Sequence, residues 1–171
     1  MVRHASLAAL AVTTLVACAP TGGESLSDAE RLAIADSVKA ISAAWKGAAE
    51  RADAAGVLGY YLNSPETAVA RADNADQTTL AFEVFASGLP TGLQRIRSQV
   101  LNLTDQRVTV LSRDAVAETA IGDWAETDTT GQVTKTHFAY SRTWVKRDGG
   151  WKILHSHLAN APTPPAPTPQ R

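Results

Sequence analysis

Cysteine is nearly absent from this 171-residue chain, which holds only Cys18. No intrachain disulfide can form, so the fold must be held by its core alone. An excess of one charge is missing too. Sixteen basic against 17 acidic residues leave a formal net charge of −1, and that near-neutral balance argues against nucleic acid as a partner. No apolar run is long enough to cross a bilayer. There is no Gly-x-Ser-x-Gly, so nucleophilic serine chemistry has no support. No glycine-rich phosphate loop appears either: Thr21-Gly22-Gly23 lies in a polar stretch, and Asp148-Gly149-Gly150 separates two β-rich runs. No internal repeat is visible, no cofactor is implied, and no spacing of histidines and carboxylates marks a metal site.

What is present begins at the amino end. Arg3 and His4 precede an apolar run from Ala5 to Leu15, and Leu15-Val16-Ala17-Cys18 follows. This reads as a secretory signal. The small residues before Cys18 resemble a bacterial lipobox, which implies cleavage after residue 17 and diacylation of Cys18. Two or more acyl chains give stable anchoring where one does not. Ala19 after the cysteine resembles the pattern of lipoproteins passed to the outer membrane. The expected address is therefore export, with a lipid anchor on the periplasmic face of that membrane if the cell has one. Residues 18–26 read as a tether. At the other end, five of the eight prolines fall between Pro162 and Pro169, so 162–171 is expected to be an extended tail. Residues 27–161, about 130 positions, suffice for one domain with a real core.

Within that domain, Ser27 and Glu30 form a capping-box pattern. Ile34, Val38, Ile41, Trp45 and Ala48 then recur at helical spacing, which predicts a helix over 28–51. Asp53 can cap a short second helix bearing Val57, Leu58, Tyr60 and Tyr61. Strands are expected at 67–71 and 80–85, and a third helix at 92–101 with Leu93, Ile96 and Val100 buried. Four antiparallel strands should follow, the last two being Thr136–Lys146 and Trp151–Leu158 around the Asp148-Gly149 turn. Helices first and a meander afterwards give an α+β fold, with about three helices packed on one face of a curved, mostly antiparallel sheet.

The stretch 133–161 resembles the closing hairpin of the SnoaL-like branch of the nuclear transport factor 2-like superfamily. Trp45, Asp53 and Tyr60 resemble the opening of the same domains. Ser141-Arg142-Thr143-Trp144 and Trp151-Lys152-Ile153-Leu154-His155-Ser156-His157 are closest to the association domain of the calcium/calmodulin-dependent protein kinase. The resemblance implies a cone-shaped pocket. It also implies an arginine, here Arg142, pointing into that pocket to bind small carboxylates, whereas a second pocket arginine of that domain is replaced by Leu158.

From the residues themselves, Arg142 alternates with Phe138, Tyr140 and Trp144 and so shares a strand face with aromatics. A charge there needs an anion, a carboxylate or a ring face. Either a bound ligand or a structural pair with Glu118, Asp123 or Glu126 would serve. The expected ligand-binding set is Arg142, Tyr140, Trp45, Tyr60 and Trp124, holding a small organic anion or amphipathic molecule. One alternative is a small isomerase, cyclase or hydratase using Asp123, Glu118 or a histidine. Another is a purely structural or assembly domain. Counting by twos puts His155 and His157 on one face with Trp151 and Ile153, and Leu154 and Leu158 on the other. A strand apolar on both sides needs two covers, hence the expectation of a homodimer.

Overall fold

The Ser27 pattern closes as a true capping box in the computed structural model, which describes residues 25–73 and 76–162. The Ser27 hydroxyl accepts from the Glu30 amide while the Glu30 carboxylate accepts from the Ser27 amide. From it runs helix α1, Asp28–Glu50. Val38 and Ala48 are buried, and Ile34, Ile41 and Trp45 pack beside them. Asp53 accepts from the Gly56 amide and starts α2, Ala54–Leu58. The signal, Cys18, the tether up to residue 24 and the proline-rich segment after Pro162 lie outside the described residues.

Strands β1 (Ala68–Asp73) and β2 (Asp76–Ala81) follow, then helix α3 (Phe82–Leu93). Four long strands complete the chain: β3 (Ile96–Ser112), β4 (Ala115–Asp128), β5 (Val133–Arg147) and β6 (Gly150–Pro162). The sheet order is β2-β1-β6-β5-β4-β3. Of the five pairings between these strands, β1–β6 is parallel and the other four are antiparallel. Asp148 and Gly149 both take positive φ, 50° and 77°, so the Asp-Gly turn has the backbone that matches strand twist.

Two features curve the sheet. Gly122 sits buried in β4, where a Cβ would lie 2.2 Å from the carbonyl oxygen of Asn102. On the partner strand the register shifts between Leu103 and Asp105, opposite that glycine. A close backbone approach beside a bulge bends a sheet locally.

The structure corrects the expected third helix. It spans 82–93, so residues 80–85 are mostly helical, and 96–101 is strand with Val100 59% exposed. Gly88 and Pro90 read as breakers, yet Phe82, Phe85 and Leu89 also stand at helical spacing and pack on the core. Burial of that face outweighs the lost Pro90 amide. The last strand is corrected as well. Trp144 pairs with Ile153 but Thr143 pairs with His155, so Leu154 is an extra residue. The alternation flips there. Trp151, Ile153 and Ser156 are buried, while His155 and His157 are exposed on the convex face. The strand is not apolar on both sides, which removes that argument for a second subunit.

Candidate functional site

Alternation along β5 turns Phe138, Tyr140, Arg142 and Trp144 to the concave side, where all four are buried. Helix α1 crosses above them and presents Ser42 and Trp45, three residues apart on one face. Between these layers the Arg142 guanidinium is wedged among rings. Its Cζ lies 3.5 Å from the Trp45 centroid and 3.9 Å from that of Tyr140. Such stacking satisfies the charge in part, but it takes up no N–H group. Nε and Nη1 are buried without a hydrogen-bond partner.

The β4–β5 register sets Glu118 directly opposite Arg142. Glu118 is fully buried. Its Oε1 accepts from Ser42 Oγ at 2.6 Å, Gln106 Nε2 at 2.7 Å and the Tyr140 hydroxyl at 3.0 Å; its Oε2 accepts from Trp144 Nε1 at 2.7 Å. Arg142 Nη1 stands 3.9 Å from Oε2, in ion-pair range but beyond hydrogen bonding. The carboxylate is thus completely satisfied, while the guanidinium is balanced in charge and left short of acceptors. Burial, and to a lesser degree Glu118, raise the Tyr140 hydroxyl to a pKa of about 12, against the opposing pull of Arg142. Tyr140 therefore stays a donor at ordinary pH.

Arg142 lies in the wall of a cavity of about 500 Å³. The rest of that wall is mostly apolar: Leu80, Phe85, Leu89 and Leu93 from β2 and α3, with Leu101 and Leu158 from the strands. Trp45, Tyr140 and Trp124, three of the residues singled out in the sequence, line it. Tyr60 does not. It is half-buried against the core, and Tyr61 next to it is the tyrosine that lines the cavity, with its ring 4.9 Å from Phe85. Alternation of facing on a short helical turn permitted either tyrosine.

The carboxylates also separate. Asp123 points to the convex face, where it pairs with His137 at 2.5 Å, both half exposed. It is no cavity base. Glu118 is committed to its four donors and is absent from the lining. Glu126 does line the cavity, and its pKa is raised, first by burial and then by Asp128. Sequence reasoning missed Ser42, Gln106 and Gln99. Ser42 carried a signal, a small polar residue within the apolar stripe of α1. Gln99 is buried and donates to the Ala49 carbonyl. Among the described residues, no three histidine, cysteine or acidic side chains converge as metal ligands.

The sequence model of the calcium/calmodulin dependent protein kinase II association domain matches residues 54–162. No curated protein matches the chain. Among solved structures, a protein from Xanthomonas campestris provisionally named as that association domain is similar at 20% identity. It has a TM-score of 0.64, with 85% of this chain and 94% of that one covered. LinA is similar at 17% identity and a TM-score of 0.66, covering 84% and 97%. A provisionally named scytalone dehydratase from Novosphingobium aromaticivorans reaches 13% identity and 0.67, covering 76% and 85%. Likeness at these identities establishes a shared nuclear transport factor 2-like cone and nothing about chemistry.

Proposed function

Because the chain belongs to the calcium/calmodulin dependent protein kinase II association domain family, we propose that its domain binds a small organic molecule in the cone, either an organic anion or another amphipathic ligand with a polar head. One observation carries this reading. Arg142 is buried in the wall of a large apolar cavity, stacked between two rings, with two of its nitrogens unpaired. A buried guanidinium short of acceptors is costly unless something supplies them. A cavity of this volume also weighs against a cone filled by its own side chains. Native mass spectrometry of the purified chain, before and after Arg142→Ala, tests the proposal. A co-purifying small molecule that is lost in the variant supports it; a ligand held equally well by both proteins refutes the role of Arg142.

Glu126 favours a second reading, an isomerase, cyclase or hydratase. A cavity carboxyl with a raised pKa is a natural proton carrier, and structural neighbours include proteins named as dehydratases and a dehydrochlorinase. The discriminating measurement is turnover of a bound ligand that vanishes in Glu126→Gln while binding persists. The proposed setting is the periplasmic face of a membrane, through a lipid on Cys18; metabolic labelling with palmitate that Cys18→Ser abolishes is the corresponding check. Homodimerisation through the convex sheet face, where Ile121 is 52% exposed, belongs to the same proposal and is read by sedimentation.

A further inference from the structure

The elements around the cavity are not held equally. Helix α1 is tied to the sheet along its length. Arg31 donates to the Val110 carbonyl, Ser42 to Glu118 and Gln99 to the Ala49 carbonyl, while Glu50 accepts from the Leu101 amide. The chain at the end of α2 is tied as well, by Lys152 donating to the Gly59 carbonyl and by backbone bonds of Tyr60 and Leu62 with Ile153. Among the described residues, helix α3 has no such tie. Its one side-chain hydrogen bond runs from Ser87 Oγ to the Val84 carbonyl, inside the helix itself. The next anchor along the chain is the Arg95 carbonyl, which accepts from the Thr129 amide.

Yet α3 forms more of the cavity wall than the other helices do. It contributes Val84, Phe85, Gly88, Leu89, Gly92 and Leu93, against Trp45 and Ala49 from α1 and Val57 from α2. Its two halves differ. In the first, Phe85 is buried with its ring 4.9 Å from that of Tyr61. In the second, residues 88–93, nothing is buried: Leu89 and Leu93 are half-buried and the other four are exposed.

The sequence of that second half also works against helix. Pro90 cannot donate to the Ala86 carbonyl, and glycine at 88 and 92 is a poor helix former. Glycine is kept in a helix where φ must be positive or where another group approaches closely. Neither reason applies. Neither glycine has a positive φ, and an added Cβ would meet no heavy atom within 4 Å at either position. A local rule broken without a gain in packing points to function.

We infer that residues 88–93 form a flap that unwinds locally to admit a ligand to the cavity, pivoting on Gly88 and Gly92 while Phe85 stays on Tyr61. Val69 and Tyr140, each 4% exposed, and Leu101, 8% exposed, all line the cavity. An organic molecule reaches such side chains only as a wall gives way. Segments that open ahead of the whole fold have few buried contacts and few bonds to their surroundings, and among the cavity walls 88–93 is that segment. The flap controls access to the ligand site proposed above, and in that sense rests on that reading. Its test uses no ligand, so its failure leaves the binding proposal standing, and failure of the binding proposal shows separately in the mass spectrum.

Native-state hydrogen exchange on the full chain is the first measurement. The amides of Leu89 and of residues 91–93 should exchange about a hundredfold or more faster than those of Val38 and Ser42 in α1. Thiol labelling then links that opening to the cavity. In a Cys18→Ser background, Val69→Cys or Leu101→Cys should react with Ellman's reagent at a rate set by the flap. Gly88→Ala and Gly92→Ala should each slow both the exchange and the labelling by about fivefold, the scale of that change within a helix. Equal protection of 88–93 and α1 overturns the inference without any cysteine variant. Labelling that the glycine changes leave untouched while exchange slows overturns it too, because the cavity is then reached by another path. So does a flap that exchanges quickly while neither cysteine reacts. The two cysteine positions lie on β1 and β3, so either one serves if the other fails to fold.

Discussion

Replacing Glu118 by leucine tests the centre of the structure most directly. The substitution removes the sole acceptor shared by Ser42, Gln106, Tyr140 and Trp144, at 2.6–3.0 Å, and the counter-charge 3.9 Å from Arg142. Breaking a buried pair by deleting one partner costs about 3–5 kcal/mol, because the remaining charge stays in a poor solvent. A domain of this size has only about 5–15 kcal/mol in total, so the variant should fold marginally. With a urea slope of about 1–3 kcal/mol/M, its midpoint should fall by about 2 M. Arg142→Met alone should cost less, because the Glu118 charge it leaves behind still accepts four hydrogen bonds, whereas Arg142 left without Glu118 has Nε and Nη1 unpaired. Combining both changes removes the orphaned charge. The double variant should therefore be more stable than the summed losses by about 1–2 kcal/mol. Strict additivity, or a loss under about 1 kcal/mol for Glu118→Leu, would show that the two charges do not sense each other and would refute the argument.

Three further outcomes are expected. Gly122→Ala places a methyl 2.2 Å from a backbone oxygen; the strand must shift, at a cost of about 1–3 kcal/mol, and a fall in thermal midpoint checks it. Glu30 has its pKa lowered from 4.5 to about 2, first by the Ser27 amide and then by Arg113. A depressed folded pKa means that its stabilisation is present above the unfolded value and lost as pH falls from about 4.5 to about 2, so Glu30→Gln should flatten that part of the stability–pH profile in urea titrations. Of the three tyrosines, Tyr140 should keep its proton to a pH of about 12, and ultraviolet difference spectra comparing wild type with Tyr140→Phe should show the same alkaline transition below that point.

The parts of the fold that were legible in the sequence are those where local chemistry and tertiary burial agree. The capping box at Ser27, the Asp53 cap and the Asp148-Gly149 turn each set the backbone through their own side chains or φ preference. Helix α3 was illegible because the two disagree. Its N-cap, Ala81, offers no side-chain bond, and Gly88 and Pro90 oppose helix. What makes it helical is a wall of the cavity on which Phe85 and Leu89 can pack, and that wall comes from residues distant in sequence. The bulge at Leu154 is hidden for a related reason. No residue type demands it, yet one inserted position sends both histidines outward.

The site shows the same division. Alternation in β5 was enough to place Arg142 among Tyr140 and Trp144, because a strand's period is fixed. Which acid answers it is a question of register between strands. Glu118, Asp123 and Glu126 are all on β4, and adjacent-residue rules cannot choose among them. Pairing Arg142 with Glu118 sets the odd position 123 on the opposite face and carries 126 eight residues away. One alignment of two strands thereby assigns three carboxylates to three fates: a buried counter-ion, a convex-face partner of His137, and a cavity acid. A register slip of one residue would turn Glu118 out to solvent and Asp123 inward. The four donors collected on Glu118 oppose that slip, so the network that balances the arginine also holds the strand alignment that builds the cavity around it.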